Sequence, residues 1–397
     1  MKVKVRHRLT FFLLRPFFRL FIRLKFNYQA IPFDRQKSLK GPYLVLSNHT
    51  QESDPFFVSL SFKGPIYYVA SDMIFSIRLW STFIKFLVSP IPKTKYRSDL
   101  ATIRDIKKMV KSGGSIGLFP EGNASFSGEL MPISPAVSKL IKMLKIPVIF
   151  FHIKGGYTTK PRWAKSIRKG AMQGRVAKVW MPEAYQDLTV EAIQEIVVAT
   201  LTVNEAKFIH DKQFTGKDFA EDIESTFFIC PNCKEMLTLT SLKNQVSCRH
   251  CDLLLTVNAK SEFLTTQDVH YFDNTIAWYH DQYHVLENRL NDIASDTVIF
   301  TDSDEKILVV ERASRKTLLG HGVITLMKCG LLIIYADHQE LWEIADIMPA
   351  VQQKNKLILH HKTQDKTLYF INHAKRNALK YVLAIEILQK EAFIDGV

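Results

Sequence analysis

The chain has 397 residues, 47% of them hydrophobic, which is too long for one ordinary domain and too apolar for wholesale disorder. Its net charge of +14 favours an anionic partner, either nucleic acid or anionic phospholipid. Five cysteines, four of them in two Cys-x-x-Cys pairs, argue against a secreted disulfide framework and for a reducing compartment and a metal.

The N-terminus favours lipid. Through Phe26 it carries eight Lys or Arg residues and no acid, and the first acid is Asp34. Phe11, Phe12, Leu13, Leu14, Phe17, Phe18, Leu20 and Phe21 are interrupted by Arg15, Arg19 and Arg23, which recur every four residues and form one stripe on a helix opposite the aromatic face. No uncharged run approaches the roughly eighteen residues of a spanning helix. Arginines inside the apolar centre also fit a cleavable signal peptide poorly. Pro16 is expected to kink or restart the helix. Residues 1–29 therefore read as an interfacial amphipathic helix in the headgroup layer of an anionic membrane, on its cytoplasmic face, peripheral or monotopic. An ordinary helix docked on the protein's own core is the alternative.

From residue 42 to about 182, apolar runs at 43–47, 66–70, 115–119, 148–153 and 176–181 alternate with helix-like segments at 49–62, 74–88, 99–112 and 135–144. That alternation predicts an α/β sheet with helices packed on it. Gly113-Gly114 is a stop for the helix that begins near Asp99. Residues 189–210 read as a closing helix and the polar stretch 211–225 as a linker.

Ser47-Asn48-His49-Thr50-Gln51-Glu52-Ser53-Asp54 follows the first of those runs. A histidine paired with an aspartate can activate an alcohol without any cofactor: the imidazole takes the proton, and the carboxylate orients the ring. Positions i and i+5 lie about 140° apart on a helix, so a helix would not pair them. His49 is therefore expected in the loop after the strand, with Asp54 in the first turn of the next helix. Phe119-Pro120-Glu121-Gly122 follows a second apolar run, and Ile146-Pro147-Val148-Ile149 opens a third. This order resembles the glycerolipid acyltransferase family, typified by 1-acylglycerol-3-phosphate acyltransferase, over about residues 30 to 205. The resemblance implies that His49 is the general base, Asp54 its orienting carboxylate, and Glu121 and Gly122 part of the acceptor site. The family's intermediate block corresponds to 89–97, where Lys93, Lys95 and Arg97 are candidates to hold a phosphate. One departure stands out. The arginine that the family carries two residues after the Phe-Pro-Glu-Gly block is here Ala124.

Cys230-Pro231-Asn232-Cys233 and Cys248-Arg249-His250-Cys251, fourteen residues apart, match a structural zinc ribbon over 226–256, with four thiolates closing a tetrahedral site that leaves no open position. Short strands at 297–300, 306–310, 322–328, 331–335, 357–360 and 367–370, followed by a helix over 375–392, make 297–397 a small β domain that resembles pleckstrin-homology or GRAM modules by pattern. Residues 257–295 give no clear pattern.

The sequence thus predicts an α/β acyltransferase domain over 30–210 (a mixed sheet flanked by helices), then a zinc ribbon and a β domain with a terminal helix. The implied activity is membrane-surface transfer of a fatty acyl group from acyl-CoA or an acyl carrier protein thioester to the free hydroxyl of 1-acylglycerol-3-phosphate, a step of phospholipid biosynthesis. The partners would be a lysophospholipid acceptor, the thioester donor and an anionic membrane surface. Two alternatives stay open: the same chemistry on a different lysolipid or amphiphilic alcohol, or a catalytically silent lipid-binding scaffold. No nucleic acid partner is expected, since the ribbon holds only Lys234, Lys243 and Arg249 as cations.

Overall fold

The computed structural model describes residues 3, 5–33, 39, 41–71, 90–93, 100–265, 269–310, 316–353, 356–372 and 377–394. The chain falls into two units, one of residues 1–162, 166–217 and 259–261, the other of 163–165, 218–258 and 262–397.

In the first unit the elements are α1 (Val5–Phe26), β1 (Tyr28–Ala30), β2 (Leu44–Ser47), α2 (Asp54–Ser59), β3 (Ile66–Ser71), β4 (Ile91–Lys93), α3 (Leu100–Lys111), β5 (Ser115–Leu118), α4 (Ala136–Leu144), β6 (Val148–Lys154), α5 (Gly156–Thr159), β7 (Met172–Trp180), α6 (Val190–Leu201) and α7 (Glu205–Ile209). The strands form one sheet in the order β1-β7-β6-β2-β5-β3-β4. Neighbours run parallel except β6 and β7, so the sheet is mixed. Alternate side chains of a strand face opposite ways. Leu44, Leu46, Val148 and Phe150 accordingly enter one core with Ile106, Met109, Ile141 and Val197 from α3, α4 and α6. Val45, Ile149 and Phe151 enter the other with Ile22, Phe26, Phe57 and Val58 from α1 and α2. The central strand β2 is covered on both faces, which is why it reads as an unbroken apolar run.

Within the helix-like segment 49–62, α2 begins at Asp54 and 48–53 form the loop that carries His49, as the five-residue spacing predicts. One helix of this unit departs from the sequence reading. The closing helix is two helices: Asn204 caps the second by accepting the Lys207 N–H. The helix expected over 74–88 lies outside the described residues. α3 stops as predicted. Gly113 takes a left-handed φ of +80°, and the Gly114 N–H reaches back to the Met109 carbonyl at 3.0 Å.

α1 is one helix through Pro16, so it does not restart there. It packs by Ile22 and Phe26, by Phe18 stacked on Phe56 and by the Arg15 guanidinium, which donates to the Leu60 carbonyl at 2.9 Å. Its other face leaves Leu13, Phe17, Leu20, Phe21 and Leu24 exposed, Phe17 by 72%. Among the described residues no helix is long and apolar enough to cross a membrane.

The second unit holds β8 (Leu239–Leu242), β9 (Gln245–Cys248), β10 (Leu254–Val257), β11 (Phe263–Thr265), α8 (Thr275–Asn291), β12 (Val298–Val310), β13 (Lys316–Met327), β14 (Gly330–Tyr335), β15 (His338–Glu343), β16 (Ile347–Gln353), β17 (Lys356–His361), β18 (Lys366–Ile371) and α9 (Leu379–Ile394). β8 to β11 form a four-stranded antiparallel sheet beside the cysteines. α8 packs against this region through Trp278, which is fully buried, stacks on Phe227, meets Phe263 of β11 edge-on and donates to the Ile229 carbonyl. Asn274 caps that helix by accepting the Ile276 and Ala277 N–H groups. The remaining strands make a seven-stranded antiparallel sheet in the order β15-β14-β13-β12-β18-β17-β16, followed by α9. β12 is one bulged strand where the sequence suggests two; β15 carries too many charged or polar residues to stand out as an apolar run, and β16 holds Pro349 inside it.

Candidate active site

Three parallel strands, β6, β2 and β5, end side by side, and the loops after them meet at their carboxyl edge, where open α/β sheets bind ligands. The loop after β2 carries His49. Asn48 fixes its start: its side-chain amide donates to the Ile153 carbonyl at 2.9 Å and accepts the Ile153 N–H at 2.8 Å, extending the β2–β6 ladder with a side chain. The φ of Asn48 is not positive, so it sets the loop through this amide rather than through a left-handed backbone.

His49 Nδ1 lies 2.8 Å from Asp54 Oδ2. Asp54 is fully buried at the start of α2, as the five-residue spacing predicts. Its Oδ2 also accepts the Thr50 and Gln51 N–H groups at 2.5 and 3.0 Å, and its Oδ1 accepts the Thr50 hydroxyl at 2.8 Å. A carboxylate held by so many donors cannot rotate, and it favours the imidazole tautomer with its proton on Nδ1. Nε2 is then the nitrogen left to accept a proton. The ring is further held by stacking on Phe119, 4.6 Å between centroids, and its side chain keeps 18% exposure.

The loop after β5 is zipped to the same histidine. The Glu121 carboxyl accepts the His49 N–H at 2.5 Å through one oxygen and the Met131 N–H at 2.8 Å through the other. The Ser125 N–H in turn donates to the His49 carbonyl at 2.9 Å. Burial pushes the Glu121 carboxyl up to about 8, against the pull of its two backbone donors. Gly122 closes the turn that begins at Phe119 and has φ +70°, with open space where a Cβ would stand. The residue is therefore needed for its backbone conformation.

Of the candidate phosphate-binding cations, Lys93 ends the edge strand β4, separated from β2 by β3 and β5. Lys95 and Arg97 lie outside the described residues.

Several residues of the site have no motif to announce them. Gln51 donates to the Gly156 carbonyl at 3.1 Å, and a Cβ on Gly156 would lie 2.3 Å from the Thr50 hydroxyl oxygen. Glu205, buried in α7, accepts the Gly155 N–H at 2.9 Å and the Thr158 N–H and hydroxyl at 3.1 Å each, and burial raises its carboxyl above the ordinary range. Glu205 thereby fixes the turn on which Gln51 rests. His49, Glu121, Glu129, Tyr157 and Glu205 all line one cavity. Their signal is spread over more than 150 residues of sequence, and only the polar start of α7 hints at it.

In the second unit, the sulfur atoms of Cys230, Cys233, Cys248 and Cys251 all lie within 4.8 Å of one another, none in a disulfide. The Cys230–Cys251 and Cys233–Cys248 pairs are 3.7 and 3.8 Å apart. A tetrahedron with metal–sulfur bonds of about 2.3 Å has edges of about 3.8 Å, so the set fits a four-thiolate metal. The His250 N–H points to Cys248 Sγ at 3.3 Å and the residue is exposed, so the imidazole is no part of the set.

Residues 22–154 match the Acyltransferase family model. Among solved structures the chain is similar to the 1-acyl-sn-glycerophosphate (LPA) acyltransferase PlsC from Thermotoga maritima, at 18% identity over 48% of this chain and 77% of that one, with a TM-score of 0.38. It is also similar to Inner Membrane Complex Sub-compartment Protein 3 from Toxoplasma gondii, at 9% identity over 28% of this chain and 83% of that one, TM-score 0.19. A third likeness is to an activated truncation of Vav1, at 12% identity over 29% and 37% of the two chains, TM-score 0.20. No curated protein matches the chain.

Proposed function

Residues 22–154 match the Acyltransferase family model, and from that premise we propose that the chain transfers a fatty acyl group from a thioester, on coenzyme A or acyl carrier protein, to the free hydroxyl of 1-acylglycerol-3-phosphate at a membrane surface. The observation that carries the reading is the His49–Asp54 pair, with its carboxylate locked by three donors besides the ring.

In the reaction, Nε2 of His49 takes the proton of the acceptor hydroxyl as its oxygen attacks the thioester carbonyl. The buried Asp54 carboxylate stabilises the imidazolium that forms. Collapse of the tetrahedral intermediate breaks the carbon–sulfur bond, and the imidazolium returns the proton to the leaving thiolate. Glu121 serves by tying the His49 loop to the loop after β5, and Gly122 by closing that second loop. Zinc on Cys230, Cys233, Cys248 and Cys251 would supply structural closure of the ribbon and takes no part in the transfer. The exposed apolar face of α1, flanked by Arg19, Arg23 and Lys25, is the surface that meets the bilayer.

The test is acyl transfer from labelled acyl-CoA and acyl carrier protein to 1-acylglycerol-3-phosphate, glycerol-3-phosphate and neutral lysolipids in micelles. Turnover on the lysophosphatidate that is lost in His49→Ala supports the reading. Absence of transfer to every acceptor, from folded protein, sinks it.

A further inference from the structure

The hydrogen bond to Asp54 fixes the His49 ring at one atom. With Nδ1 held 2.8 Å from Asp54 Oδ2, the ring can still rock about that contact, and rocking swings Nε2, the nitrogen that has to meet a hydroxyl. A stack on the face of the ring opposes this. Phe119, just past β5, lies 4.6 Å from the His49 ring centre with 29° between planes. Tyr68 of β3 stacks on Phe119 in turn, 5.8 Å between centres and 13° between planes.

Two features hold Tyr68 in that place. It is paired with Gly117 across β3 and β5, and a Cβ on Gly117 would stand 2.4 Å from two carbons of the tyrosine ring. A glycine inside a strand weakens it, and here it leaves the space in which the ring lies over β5 and reaches Phe119. At the far end, the Tyr68 hydroxyl is 3.0 Å from Ser59 Oγ. Ser59 Oγ gives its own proton to the Pro55 carbonyl at 2.7 Å, so the phenol is the donor of the Tyr68–Ser59 pair. Ser59 is the last residue of α2 and Asp54 the first. One short helix therefore anchors both the carboxylate at the edge of the imidazole and the tyrosine that backs its face.

We propose that Tyr68 is a positioning residue for the general base: acting through Phe119, it sets the plane of the His49 imidazole and hence where Nε2 points. The general-base role rests on the acyl-transfer reading above. Tyr68, Gly117 and Ser59 all lie outside the two sequence blocks that hold His49, Asp54 and Glu121.

The test uses the full chain with isotope-labelled histidine. The ring signals of His49, assigned by their loss in His49→Ala, are recorded by NMR in the unaltered chain, Tyr68→Leu, Tyr68→Phe and Gly117→Ala, beside steady-state kinetics. Tyr68→Leu removes the flat face, and Gly117→Ala pushes that face off β5 without altering the tyrosine. Both should move the His49 signals and lower kcat by about 10- to 100-fold with KM within a few-fold, the penalty expected when a reacting group shifts by about 1 Å. Tyr68→Phe keeps the ring and should recover most of both readings. If Tyr68→Leu does not fold, Gly117→Ala decides. Unmoved His49 signals in the folded variants would make Tyr68 ordinary core and overturn the proposal, as would signals that move while kcat does not. If the unaltered chain transfers to no acceptor, the acyl-transfer reading fails, and the His49 signals still test whether Tyr68 sets the ring.

Discussion

At the residue scale the site is built from backbone N–H groups aimed at two buried carboxyls, Asp54 and Glu121, with His49 between them. Asp54→Asn keeps the volume but presents an amide to the same donors and removes the charge that steadies an imidazolium. Its kcat should fall by about 10²–10⁴ with KM within a few-fold, read by steady-state kinetics. Gly156→Ala places a methyl against the Thr50 hydroxyl, 2.3 Å from its oxygen, and so disturbs a donor to Asp54 without touching His49. A drop in kcat with a melting temperature lowered by only a few degrees is the expected pair of readings. Glu121 makes a pH prediction. Its folded pKa of about 8 stands above the ordinary 4.5, so between those values the folded state holds a proton that the unfolded state has lost. Stability therefore falls as pH rises through that window and levels off above about 8. Glu121→Gln removes the titration, and its melting temperature should vary less across that window than that of the unaltered chain. The His49 and Asp54 pairing is legible from its spacing together with the Phe119-Pro120-Glu121-Gly122 block that follows it. Their supports, Gln51 on Gly156 and Glu205 on Gly155, are not, because each is a single polar residue whose partner is distant in sequence.

At the scale of elements, legibility follows burial. β2, β5 and β6 are covered on both faces or nearly so, and their apolar runs mark them to within a residue or two. The edge strands β1 and β4 have three residues each and too little apolar surface to register. α8 is hidden for another reason: its buried face consists of Trp278, Gln282, Leu286 and Leu290, at helical spacing but broken by a glutamine. That glutamine accepts the Phe228 N–H and donates to the Thr226 carbonyl, each at 3.1 Å, so a polar residue fills a place in the core that an apolar one would usually take. Both contacts lie just before Cys230, which makes the ribbon and α8 one cooperative piece. Chelation or Cys230→Ser should therefore raise hydrogen exchange over 226–256 and also in α8, since the free energy of metal binding is folding free energy for such a site. The His49 loop should keep its protection. Exchange that rises equally across β2, β5 and β6 would make the metal a support of the first unit too.

At the scale of the whole molecule, a net charge of +14 is compatible with any anionic partner, and the proposal that α1 meets a bilayer rests on the arrangement of that helix. A helix that only completed its own protein's core would turn its apolar face inward. α1 buries Ile22 and Phe26 but leaves Leu13, Phe17, Leu20, Phe21 and Leu24 outward, with Leu24 64% exposed, and its Arg15 is spent on the Leu60 carbonyl. Such a face carries a cost in water that a headgroup layer removes, at about 1.5–3 kcal/mol for each large side chain fully buried. The combined variant Phe17→Glu, Leu20→Glu and Leu24→Glu leaves the inward residues of α1 and the His49 loop untouched. Its partition onto anionic vesicles should fall by more than about 100-fold, measured by sedimentation. Turnover on a short-chain acceptor dispersed as monomer should stay within a few-fold, because no residue of the dyad or its supports has changed. Raising salt separates the two contributions in the unaltered chain: cation attraction is screened, whereas apolar insertion is not. If the triple variant still binds vesicles and salt alone releases it, the helix is held by charge and its apolar face serves another partner. If the variant loses vesicle binding and turnover on long-chain lysolipid together while keeping the short-chain reaction, α1 acts by bringing the site to its substrate and not by shaping the site.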